Sequence, residues 1–149
     1  MTAADFQWIE RGATATLSGR AREHGAFVLF LPLAYAPVCR EDVKRIVAGA
    51  SELGGGADGR PLIVVSVDRP DHLRRFLDEH GDATARVLGH AGDPTLAIAQ
   101  SYGVQRKEGF AERASFLVGR DGAIVASAVH PIGFPRPLDV LREWLTRLT

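Results

Sequence analysis

Two short, unbroken apolar runs constrain this chain more than any other feature. Phe27 to Leu31 reads FVLFL, and Leu62 to Val67 reads LIVVSV. Runs of this length without alternation are the mark of strands buried on both faces. Between them Val43, Ile46, Val47, Ala50 and Leu53 fall on one helical stripe, while Lys44, Arg45, Ser51 and Glu52 lie off it. Strand, amphipathic helix and second buried strand form a βαβ unit, which requires a parallel pair with the helix packed across it.

The rest of the chain extends that unit. Leu73, Phe76 and Leu77 mark a short second helix stopped near Gly81, and Ala85 to Leu88 reads as a short edge strand. Asp93-Pro94, a capping residue followed by a good first helical residue, opens a third helix that ends at Tyr102-Gly103. Ser115 to Val118 and Ala123 to Val129 are two further strands, joined through Asp121-Gly122, a strong hairpin signal. Leu138, Leu141, Leu145 and Leu148 recur at helical spacing near the end, and Asp5 to Trp8 with Thr14 to Leu17 suits an N-terminal β-hairpin. The expected order is ββ, then β-α-β-α-β-α, then a hairpin and a helix. That is an α/β architecture with a mixed central sheet flanked by helices, thioredoxin-like with an N-terminal hairpin extension.

The 149 residues suit a single domain spanning 1–149. Lys plus Arg and Asp plus Glu both number 18, so no basic excess is available to neutralise phosphates, and nucleic acid is not expected as a partner. The apolar run from Ala26 to Ala36 is too short to span a bilayer. Asp5 and Glu10 interrupt the beginning of the chain, which shows no signal-peptide core. With Cys39 as the single cysteine, an internal disulfide is impossible, and a reducing, cytoplasmic setting is expected. His24, His72, His80, His90 and His130 are scattered, so neither metal nor another cofactor is expected. The Gly54 to Gly59 stretch lacks a phosphate-loop lysine and leads into a strand.

Cys39 lies where the first buried strand gives way to the first long helix, in PLAYAPVCRED (32–42). Pro37 suits the first helical turn and places Cys39 beside backbone N–H groups without helical acceptors. Those groups and the helix dipole favour a thiolate, the nucleophilic form. The competing reading is a small, inert, buried hydrophobe. The carboxyl end of a parallel strand, where binding sites gather, favours the reactive one.

The segment Pro32-x-x-x-Ala36-x-x-Cys39 resembles the peroxiredoxin motif Pro-x-x-x-Thr/Ser-x-x-Cys. The resemblance continues in Ala4-Asp5-Phe6, in DPTLAIAQSYGV (93–104) and in ERASFLVGRDG (112–122), and so runs in order along nearly the whole chain. It points to a one-cysteine member of the bacterioferritin-comigratory or alkyl-hydroperoxide-reductase-E-like group. It implies that Cys39 is the peroxidatic cysteine, that Arg113 stabilises the thiolate and the peroxide oxygens, and that Pro32 shields the sulfur. Val38 and Cys39 would supply backbone donors, and Asp42 stands where the family often has Glu. Ala36 departs from the pattern by lacking the substrate-binding hydroxyl. It is also a poor helix cap; the sequence assigns no replacement hydroxyl, with Ser115, two residues beyond Arg113, the one candidate noted.

The resemblance implies a thiol-dependent peroxidase acting on hydrogen peroxide or organic hydroperoxides. It would be recycled by an external thiol: thioredoxin, a glutaredoxin-like protein or a low-molecular-weight thiol. A homodimer is expected on the same ground. Ala36 motivates a second reading, a peroxiredoxin-fold redox sensor or binding module with little turnover.

Overall fold

A computed structural model describes residues 1–55, 59–80 and 88–148. Seven strands form one mixed sheet in the order β2-β1-β5-β4-β3-β6-β7. They are β1 (Gln7–Glu10), β2 (Ala13–Thr16), β3 (Ala26–Phe30), β4 (Leu62–Ser66), β5 (Leu88–Gly92), β6 (Arg113–Val118) and β7 (Ile124–His130). β3, β4 and β5 run parallel, with Phe27 opposite Leu62 and Leu62 opposite Leu88. β6 joins β3 antiparallel, with Leu29 opposite Ser115, and β7 completes the hairpin, with Arg113 opposite His130.

The helices are α1 (Leu17–His24), α2 (Pro37–Ala48), α3 (Pro70–Asp78), α4 (Ala97–Ser101) and α5 (Leu138–Trp144), with 3₁₀ turns at Ala50–Leu53 and Leu145–Arg147. The period-two geometry of strands divides the core into two layers. Phe27, Leu29, Leu62, Val64 and Leu117 meet Val43, Ile46, Phe76 and Leu141 on one face. Val28, Phe30, Ile63, Val65 and Phe116 meet Trp8, Leu17, Ala21 and Tyr102 on the other. Both faces of β3 and β4 are therefore covered, which is why their sequences show no polar alternation.

Three expectations need correction. Helix α1 is an added element that the sequence pattern does not show, because LSGRAREH buries only Leu17 and Ala21 and carries a glycine inside it. Its signals are at its ends: Thr16 Oγ1 accepts the Gly19 N–H at 3.2 Å, and Gly25 terminates it at φ 72°. A side chain at Gly25 would collide with the Val118 carbonyl of β6. Second, the strand expected at Ala85 to Leu88 as an edge is β5, Leu88–Gly92. It is interior, because the N-terminal hairpin adds outside it through Ile9 and His90; residues 85–87 lie outside the described residues. Third, the helix expected from Asp93-Pro94 begins only at Ala97. Asp93 does cap it, accepting the N–H groups of Ile98 and Ala99 at 3.0 and 2.9 Å, but across a left-handed residue, Leu96 at φ 61°.

Candidate active site

The strand-to-helix junction after β3 builds the site. Ala36 precedes α2 in an extended conformation (φ −64°, ψ 138°), Pro37 is the first helical residue, and no side chain caps the helix. Cys39 is the third helical residue, so its own N–H and that of Val38 have no carbonyl one turn back. Pro32 is buried, Ala36 and Val38 are half-buried, and Cys39 has no exposed surface.

The loop from Pro32 to Ala36 is tied to the next strand and helix. Asp68 Oδ2 accepts the Ala34 N–H at 2.7 Å and the buried Ser66 hydroxyl at 2.8 Å, and its other oxygen lies 2.9 Å from His72 Nδ1. Tyr35 occupies the left-handed region at φ 68°, costly for a residue with a side chain. Its ring packs 5.1 Å from those of His72 and Phe76, and its hydroxyl donates to Glu79 at 2.9 Å. The Arg40 guanidinium lies 5.5 Å from the Tyr35 ring centre. These contacts hold Tyr35 in its strained conformation.

Arg113, the first residue of β6, points into the same layer as Cys39. Its Nη2 donates to Cys39 Sγ at 3.4 Å and to the Ile132 carbonyl at 3.2 Å, and its Nη1 donates to Asp42 Oδ2 at 2.6 Å. Its Nε is buried and has no acceptor among the described residues. Asp42 lies one helical turn beyond Cys39, so both project from the same side of α2. A second arginine, Arg136, donates its Nε to both Asp42 oxygens at 3.1 Å and its backbone N–H at 3.3 Å. Its remaining donors reach the Ala114 carbonyl at 3.1 Å, Ser115 Oγ at 3.0 Å and the Phe30 carbonyl at 2.7 Å. Burial alone would raise the Asp42 carboxyl, but the charge and hydrogen bonds of Arg136, then those of Arg113, hold it below its ordinary value of 3.8.

The structure brings together Pro32, Ala36, Val38, Cys39, Asp42 and Arg113 around one junction. Ser115 is on the same face of β6 as Arg113, but its hydroxyl is engaged by Arg136 and by His130 Nε2 at 2.9 Å. It does not stand in for the hydroxyl that Ala36 lacks. Among the described residues, Arg113 is the polar side chain bonded to Sγ. Sequence reasoning missed Arg136 and His130. Arg136 lies in the Pro-rich stretch HPIGFPRP (130–137), where neither periodicity nor a motif distinguishes it from a surface arginine. No group of three or more His, Cys, Asp or Glu suited to a metal ion occurs among the described residues. No helix among them is long and apolar enough to cross a membrane.

Sheet order, crossover and the Cys39 junction together define a thioredoxin-like fold whose distinctive site is a helix-start cysteine facing an arginine. The chain belongs to the AhpC/TSA family of peroxiredoxins: the family model matches residues 2–127. Alkyl hydroperoxide reductase C of Staphylococcus epidermidis is 28% identical over 120 residues, 76% of this chain and 60% of that protein. The Staphylococcus saprophyticus protein of the same name is 29% identical over the same shares. The chain thus spans about 60% of the length of these curated relatives. The mitochondrial 2-Cys peroxiredoxin of Plasmodium falciparum has a TM-score of 0.80 at 21% identity, covering 97% of this chain and 90% of that one. Mycobacterium tuberculosis AhpC gives 0.79 at 17%, covering 98% and 94%.

Proposed function

We propose that the protein is a thiol-dependent peroxidase that reduces hydrogen peroxide or organic hydroperoxides through a one-cysteine cycle at Cys39. The observation that carries this reading is the Arg113 guanidinium 3.4 Å from a sulfur seated in the first turn of α2. A guanidinium is permanently charged and offers donors in fixed geometry, so it stabilises a thiolate and the charge that develops on oxygen. The thiolate attacks one peroxide oxygen. An S–O bond forms as the O–O bond breaks, and the departing oxygen takes a proton to leave as water or alcohol. The sulfur, oxidised by two electrons, becomes a sulfenic acid.

Arg113 Nε, a buried donor without an acceptor among the described residues, and the N–H groups of Val38 and Cys39 in the first turn of α2 are the donors for the departing oxygen. Pro32 closes the sulfur from bulk water, and Ala36 lines the approach without a hydroxyl. Within these 149 residues no second cysteine exists, so an external thiol expels water from the sulfenic acid to form a mixed disulfide. A second thiol then attacks that disulfide and restores Cys39. Candidate reductants are thioredoxin, a glutaredoxin-like protein or a small thiol. Homodimerisation is part of the proposal and is checked by the mass in solution.

The test is intact-mass spectrometry of the reduced protein after one equivalent of hydrogen peroxide. Rapid gain of one oxygen, absent in Cys39→Ser and slowed about a hundredfold or more in Arg113→Met, is expected. Oxidation no faster than that of free cysteine refutes it. Ala36 favours a second reading, a redox sensor or binding module with slow turnover, in which Cys39 oxidation changes partner binding or assembly without rapid peroxide consumption.

A further inference from the structure

Arg136 has donors only. Its Nη1 reaches Ser115 Oγ at 3.0 Å, so that oxygen accepts and the Ser115 hydroxyl hydrogen must go elsewhere. Among the described residues the acceptor in reach is His130 Nε2, at 2.9 Å. A ring nitrogen that accepts carries no proton, so His130 is a neutral imidazole with its hydrogen on Nδ1. His130 sits opposite Arg113 on β7 and is 7% exposed.

The charged groups facing it are Arg136 from the chain before α5, Asp42 from α2 and Arg113 from β6. Both Asp42 oxygens are already occupied by the two arginines. Burial first, then Arg136 and Arg113 against the opposing pull of Asp42, depress the imidazole from 6.5 to about 4. Hydrogen-bond direction and charge environment therefore agree on the neutral form.

We propose that His130 is a positioning residue for Cys39: by accepting the Ser115 hydroxyl it keeps Ser115 Oγ turned to Arg136, and through Arg136 and Asp42 it fixes the Arg113 guanidinium against the sulfur. The kinetic half of this inference rests on the peroxidase reading; the structural half does not. Protonation converts Nε2 from acceptor to donor. Ser115 Oγ is then caught between two donors, its hydrogen has no acceptor, and a third cation joins one carboxylate. The chain from Ser115 to Arg113 loosens.

The test combines ring-nitrogen NMR on the full chain with Cys39 oxidation rates. His130 is expected as the Nδ1–H tautomer, still neutral at pH 5; an Nε2–H tautomer or an imidazolium at that pH overturns the proposal. His130→Ala is expected to slow oxidation by hydrogen peroxide at pH 7 about tenfold or more. His130→Gln, whose Oε1 accepts the same hydrogen but does not titrate, is expected to recover most of the rate and to remove the acid-side fall below pH 5. Equal rates in the two variants overturn the proposal. Should His130→Ala not fold, Ser115→Ala breaks the same link and is expected to show the same loss. If the wild-type protein oxidises no faster than free cysteine, the peroxidase reading fails, and the Arg113 guanidinium NMR signals decide the inference without peroxide. They are expected to shift in His130→Ala and to stay near wild type in His130→Gln; no difference between the two refutes it.

Discussion

Replacing Asp42 with Asn removes one charge from the centre of the site with almost no change in shape. In the wild type that carboxylate receives Arg113 at 2.6 Å and Arg136 at 3.1 Å, and all three side chains are essentially fully buried. Two guanidiniums are then left facing an amide that can satisfy only some of their donors. Breaking a buried ion pair from one side costs about 3–5 kcal/mol, because the remaining charge stays buried. For a domain of this size each kcal/mol moves the melting temperature by roughly 2–4 °C, so Asp42→Asn is expected to melt about 10 °C lower at pH 7.

The pH dependence supplies a second check. The folded carboxyl is held below 3.8. Its stabilisation is therefore complete above the unfolded carboxyl's value of about 3.9 and is lost as pH falls through the lower folded value. The gap between wild type and Asp42→Asn should accordingly close on acidification below pH 4. Urea unfolding at pH 7 and pH 3 measures both. A loss under about 1 kcal/mol at pH 7, the scale of an exposed pair, refutes the picture of a buried ion-pair cluster, as does a gap that persists unchanged at pH 3.

Other expectations concern the loop, the helix start and the imidazole. Ala36→Thr should add about 1 kcal/mol of stability by capping α2, because position 36 just before the helix is already extended and makes no side-chain cap; it should also speed Cys39 oxidation about a hundredfold. No change in either melting temperature or rate refutes this. Asp68→Ala leaves the Ala34 N–H and the buried Ser66 hydroxyl without their acceptor. About 2 kcal/mol should be lost, with faster hydrogen exchange at Ala34; unchanged exchange there means the loop is held by something else. His130 binds a proton near 6.5 when unfolded and only near 4 when folded, so the unfolded chain binds more protons in that window and stability rises with pH across it. From pH 6.5 down to 4 the protein should lose about 3 kcal/mol from this group, a fall that His130→Gln should lack in denaturant titrations.

Much of the fold was legible because burial leaves a local trace. The unbroken runs in β3 and β4, the stripe in α2 and the Asp121-Gly122 turn each report the environment of consecutive residues. Cys39 was legible for a related reason: Pro37 and the strand before it mark the junction, whatever the rest of the chain does. Arg113 was identifiable only through the resemblance, since an arginine beginning a strand carries no local signature of its own.

Other features have no such trace. Helix α1 buries too little of itself to show a stripe, and only its end residues betray it. The interior place of β5 depends on where the N-terminal hairpin adds to the sheet, a pairing between Ile9 and His90 that neither segment specifies. The cluster around Asp42 is less local still. Arg136 lies 94 residues from Asp42 and 106 from Phe30, whose carbonyl it binds. Sequence alone determined the layered α/β plan and the cysteine at its first crossover, because burial and helix starts are properties of adjacent residues. The tertiary structure decided which charges meet that cysteine. Ion pairs and hydrogen bonds depend on distances of a few ångströms between side chains, and only the folded sheet sets those distances across its strands.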